Sequence, residues 1–123
     1  AQWLSADPRI SWVSFPGLEE DKYHALAEKY MPNGTCGVIS FGVPGGREKV
    51  SAFLDHLKMV SIATHVADAR SCTLYPAGTT HRQLTEEQLV EAGVGIDLVR
   101  LSCGIENADD IITDLDQALA AVQ

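Results

Sequence analysis

Arg100 is the residue with the clearest chemical potential, because it interrupts the otherwise apolar, strand-like run Leu98-Val99-Arg100-Leu101-Ser102. A guanidinium there has two options. It can face solvent from the strand's edge, which alternation permits, or it can be desolvated and demand a partner. In the second case its planar fork best matches a carboxylate, held bidentately, and that fits an amino-acid ligand. The four histidines, His24, His56, His65 and His81, include no i, i+4 pair, so their spacing points to no metal site. Cys36, Cys72 and Cys103 are odd in number, widely spaced and without a Cys-x-x-Cys pair. They indicate neither a disulfide framework nor a zinc site, and read as reduced, half-buried strand residues rather than as partners of a catalytic histidine. The Gly42-Val43-Pro44-Gly45-Gly46 run precedes a helix and could in principle cradle a phosphate. With a proline in the loop and no Lys-Ser or Lys-Thr after it, a plain turn is the simpler reading.

The elements that must position these groups alternate along the chain. Ile10 to Phe15 is β-branched and aromatic and stops at Pro16-Gly17, which suits a strand. A short helix follows over Tyr23 to Tyr30, with Leu26 and Tyr30 on one face, closed by Pro32, Asn33 and Gly34. Gly37 to Val43 is a second strand, after which Val50, Phe53, Leu54 and Leu57 recur at helical spacing. Strands over Ser61 to Val66 and Ser71 to Tyr75 are close enough to pair antiparallel. Thr85 and Gln88 form a capping box for a helix ending at Gly93. Leu98 to Ser102 is the last strand. Asn107 caps a final helix whose inner stripe is Ile111, Leu115, Leu119 and Val122. Ala1 to Leu4 reads as the end of a longer helix.

This βαβαββαβα order implies an α/β sandwich of two layers: a mixed, largely antiparallel sheet with helices on one face. At 46% apolar content, 123 residues suffice for one core, so residues 1–123 are expected to form a single domain. A net charge of −8 repels phosphate backbones and anionic lipids, which argues against nucleic-acid and membrane partners. No apolar run approaches the roughly 20 residues of a spanning helix, and no basic-then-apolar leader opens the chain; it reads as cytoplasmic.

Five spaced segments carry a resemblance. Phe15-Pro16-Gly17-Leu18-Glu19, Tyr30-Met31-Pro32-Asn33-Gly34, Ser40 to Gly46, Pro76-Ala77-Gly78-Thr79-Thr80-His81 and Val99 to Glu106 resemble, in order, the C-terminal domain of the Cys/Met-metabolism PLP (pyridoxal-phosphate) enzymes. The Pro-Asn-Gly segment, Ala67-Asp68-Ala69-Arg70-Ser71 and Thr79-Thr80-His81 are most similar to O-acetylhomoserine sulfhydrylases. The resemblance implies the small domain of a fold-type I enzyme, following a PLP-binding large domain, in a homotetramer. The implied reaction replaces the acetyl group of O-acetylhomoserine by sulfide. By motif position, Arg100 matches the arginine that holds the substrate α-carboxylate, Thr80 a threonine that orders that region, and His65 a position beside the substrate carboxylate that is more often serine or asparagine. The related alternatives are methionine γ-lyase and a cystathionine γ-synthase or lyase type, the lyase weakened because Thr64 stands where cystathionine γ-lyases carry glutamate. None of Lys22, Lys29, Lys49 or Lys58 lies in the family's Ser-x-x-Thr-Lys context. These residues alone are therefore expected neither to hold PLP covalently nor to turn over substrate. A small effector-binding module, with Arg100 gripping an acid, is the reading from a different class, and a purely structural domain is a third.

Overall fold

Alternation along two central strands sets the architecture. In the computed structural model, which describes residues 1–123, β2 (Val38–Gly42) pairs antiparallel with β5 (Leu98–Ser102) over their full lengths. Ile39 and Phe41 stand opposite Leu101 and Val99 and are buried. Ser40 stands opposite Arg100 on the other face. Three further strands complete the sheet: β1 (Val13–Ser14), β3 (Ser61–Ile62) and β4 (Cys72–Leu74). Their order is β1-β2-β5-β4-β3, antiparallel throughout except for β3 beside β4. The expected mixed, largely antiparallel sheet is thus the observed one.

The helices are α1 (Gln2–Ala6), α2 (His24–Tyr30), α3 (Gly46–Asp55), α4 (Glu86–Glu91) and α5 (Ala108–Ala120), with a 3₁₀ turn at Pro76–Gly78. Val50, Phe53 and Leu54 of α3 and Ile111, Leu115 and Leu119 of α5 join Ile39, Phe41, Val99 and Leu101 in one core. Phe41 and Phe53 meet edge to face, with centroids 6.2 Å apart. Such a pair adds about 0.5–1.5 kcal/mol beyond area burial. No helix is long and apolar enough to cross a membrane.

Several expectations need correction. β3 and β4 run parallel, because residues 63–71 cross over the sheet instead of turning back in a hairpin. The first and third strands shrink to two residues each, where ladder bonds to β2 and β4 exist. In α2 the buried residue is Ala27, whereas Leu26 and Tyr30 are 50% and 69% exposed; packing against this chain selects the small side chain. The helical reading of the first residues agrees with α1, in which Leu4 is buried. Of the cysteines, all three free, Cys72 lies in a strand and is buried, Cys103 follows β5 half-buried, and Cys36 is exposed in the loop before β2.

The helix starts behave as their cap residues dictate. Thr85 accepts the Gln88 amide and Gln88 accepts the Thr85 amide, a reciprocal box at the start of α4. Gly93, at φ 70°, follows the helix in a left-handed conformation that suits glycine. Thr85→Ala is expected to cost about 1 kcal/mol, lowering the urea midpoint at constant slope. An unchanged midpoint would show that the box contributes nothing.

Candidate functional site

Arg100 projects from the middle of β5 on the face opposite the helices, between Ser40 of β2 and Leu74 of β4. Part of that face is roofed by the crossover 63–71. Arg100 Nη2 donates to the Thr64 carbonyl at 2.9 Å and to the His65 carbonyl at 3.4 Å. Its Nε is closed off from solvent and has no hydrogen-bond partner. The ion pairs of the chain are Arg9 with Asp7, Arg9 with Asp116, and His24 with Glu28, so Arg100 has no carboxylate of its own. A buried donor left unmade costs about 1–3 kcal/mol, more when charged. Arg100 lies between the two options: it is half-buried, with Nε closed off from solvent and no anionic partner. Arg47 is different: its Nη1 donates to the Ala77 carbonyl and ties α3 to the 3₁₀ turn.

The crossover is itself held by the chain that follows Arg100. Ser102 Oγ accepts from the Ala67 amide at 3.3 Å. The Ile105 amide donates to the Ala69 carbonyl at 3.0 Å. Glu106 accepts from the Ser71 amide at 2.7 Å and from the Ser71 hydroxyl at 2.9 Å, while the Gly104 amide donates to Ser71 Oγ at 2.9 Å. The Ser71 amide holds the Glu106 carboxyl below its ordinary range, with further help from backbone and the Ser71 hydroxyl. Gly104 permits the close approach: a Cβ there would lie 2.4 Å from the Ala69 carbonyl oxygen. Ala67 takes φ 57°, a left-handed conformation uncommon for a residue with a Cβ.

His65 is exposed and reaches Arg100 through its backbone carbonyl, not its ring. Thr80 is exposed in the turn after Gly78, where its hydroxyl pairs with Nδ1 of His81 at 2.9 Å. No hydrogen bond joins it to Arg100. Residue type alone does not reveal the contacts of Thr64, Ser71, Ser102 and Glu106. A backbone carbonyl carries no sequence signal, and Ser71 and Glu106 meet across 35 positions.

The lysines do not suit a covalent cofactor bond, which calls for a desolvated amine. Lys22, Lys29 and Lys58 are exposed; the first two lie over Tyr23 and Tyr30, 4.8 and 5.1 Å from the ring centroids. Lys49 folds over Gly45. These residues do not fit a PLP Schiff base.

The profile of the Cys/Met metabolism PLP-dependent enzyme family matches residues 1–120. An O-acetyl-L-homoserine sulfhydrylase from Leptospira meyeri is 45% identical over 120 residues, 97% of this chain and 27% of that protein. A homocysteine synthase from Schizosaccharomyces pombe is 46% identical over 119 residues, 97% of this chain and 28% of that one. The crystal structure of an O-acetylhomoserine (thiol)-lyase from Campylobacter jejuni, assigned that activity provisionally and carrying pyridoxyl-lysine phosphate, superposes with TM-score 0.88 at 38% identity. The match covers 98% of this chain and 28% of that one. The chain therefore spans little more than a quarter of the relatives it matches.

Proposed function

This chain belongs to the Cys/Met metabolism PLP-dependent enzyme family, and from that premise we propose that it is the substrate-carboxylate-binding C-terminal domain of an O-acetylhomoserine sulfhydrylase. In the reaction, sulfide displaces acetate from O-acetyl-L-homoserine: the Cγ–O bond breaks, acetate leaves with the electron pair, and a Cγ–S bond forms to give homocysteine. PLP, held by a large domain of the same polypeptide, supplies the electron sink. The part played by these 123 residues is recognition and orientation.

The observation that carries this reading is the half-buried guanidinium of Arg100 with no carboxylate partner and a buried, unpartnered Nε–H. Nη2 is anchored by Thr64 and His65, which fixes the plane of the fork, while Nη1 makes no hydrogen bond. A substrate α-carboxylate accepting from this group supplies the missing negative charge and orients Cα toward the cofactor. His65 is a secondary contact in this reading, through its carbonyl, and the family resemblance assigns Thr80 a supporting role. The remaining partners are the PLP-binding domain and the other subunits of a homotetramer.

The test is homocysteine formation by the full reading frame with PLP, O-acetyl-L-homoserine and sulfide. Product from the full frame and none from residues 1–123 is the expected outcome. A reading frame no longer than these residues, or a longer one without this activity, would leave the effector-binding module as the better account.

A further inference from the structure

We infer that Ser102 and Glu106 are positioning residues for Arg100, acting through the crossover 63–71. The inference rests on the carboxylate-gripping role proposed for Arg100. The guanidinium is oriented by two backbone carbonyls, those of Thr64 and His65, and neither belongs to a regular element. A carbonyl holds direction only if its peptide is held. Three ties do this, all from the five residues that begin two positions after Arg100. Ser102 Oγ, on a residue only 3% exposed, accepts the Ala67 amide two residues beyond His65. The Ile105 amide takes the Ala69 carbonyl, and Glu106 accepts both donors of the fully buried Ser71. Ala67 keeps its left-handed backbone under this restraint, a conformation that persists where surroundings over-determine it. Ser102 lies two residues from Arg100 on the same strand face. One short segment thus supplies the arginine and fixes the roof that aims it.

A solely structural role would lower stability and leave substrate affinity alone. A positioning role changes KM, and does so only while Arg100 is present. The experiment is a double-mutant cycle in the full-length, PLP-loaded enzyme with O-acetyl-L-homoserine and sulfide, using Ser102→Ala and Arg100→Ala. Glu106→Gln, which keeps one acceptor oxygen, replaces Ser102→Ala if that variant does not fold. Ser102→Ala is expected to raise KM for O-acetyl-L-homoserine about threefold to tenfold, with kcat changed less than about twofold. The double variant should match Arg100→Ala alone. If Arg100→Ala raises KM but the Ser102 and Glu106 variants leave it unchanged, or their effects multiply with it, the positioning role is wrong and the carboxylate grip stands. If Arg100→Ala leaves KM unchanged, the grip itself fails and this inference falls with it.

Discussion

Arg100→Ala in the full-length enzyme is expected to lower kcat/KM for O-acetyl-L-homoserine by about 30-fold to 10³-fold. The range follows from the roughly 2–5 kcal/mol at stake when one partner of a desolvated charge pair is removed. The loss should fall mainly on KM, because the α-carboxylate is equally charged in bound substrate and transition state, and an interaction made in both changes binding more than turnover. Arg100→Lys restores the charge but not the fork. A point-like ammonium cannot satisfy the Thr64 and His65 carbonyls while presenting two parallel donors to an anion. It should recover only part of the loss. Equal kcat/KM for wild type and Arg100→Ala would show that the half-buried guanidinium serves the fold and not the ligand.

The second large effect concerns stability. Asp114, on the inner side of α5 and 6% exposed, accepts the amides of Lys58, Met59 and Val60, each at 2.9 Å. Gln117 Nε2 adds a further bond at 3.1 Å and also reaches the His56 carbonyl. This carboxylate ties α5 to the segment leading into β3. Asp114→Ala strands three backbone donors and is expected to cost about 3–5 kcal/mol, read as a lower urea midpoint. Asp114→Asn retains one acceptor oxygen and should cost less. Burial pushes the Asp114 carboxyl up, but the bonds from Val60, Lys58, Met59 and Gln117 outweigh it and the net shift is downward. A carboxyl lowered on folding contributes stability that is present above its unfolded value of about 4 and is lost as pH falls through the folded one. Stability should therefore decline as pH drops below about 4, more steeply than in Asp114→Asn. Parallel pH curves for the two would contradict this role.

Where one side of an element is covered by the rest of the chain, the sequence shows it. The stripe Ile111, Leu115 and Leu119 and the alternation through β2 and β5 are imposed by burial, so period and face can be read directly. Asp114 could have been noticed by the same logic, as a charge on a buried stripe. The shared apolar face of α2 does not reveal what it packs against, and Leu26 and Tyr30 have nothing in this chain to cover them. Strand direction at β3 and β4 has no local signal either, since it depends on a crossover fixed by Ser102 and Glu106, more than 30 positions away. At Arg100 residue type identifies the group, but only the three-dimensional structure shows that its Nε is closed off from solvent and that no carboxylate meets it. His65 is named by its position in the family motif, and it reaches Arg100 through its carbonyl, a group every residue has.

The claim that Arg100 recognises the α-carboxylate is tested most directly by removing that carboxylate from the substrate. Acetate release from O-acetyl-L-homoserine and from 3-aminopropyl acetate, the same molecule without its carboxyl group, should be compared in the full-length enzyme and in Arg100→Ala. Wild type should favour the amino acid by at least about 30-fold in kcat/KM, and Arg100→Ala should lose most of that preference. Undiminished discrimination in the variant would place carboxylate recognition elsewhere and contradict the function proposed for this domain.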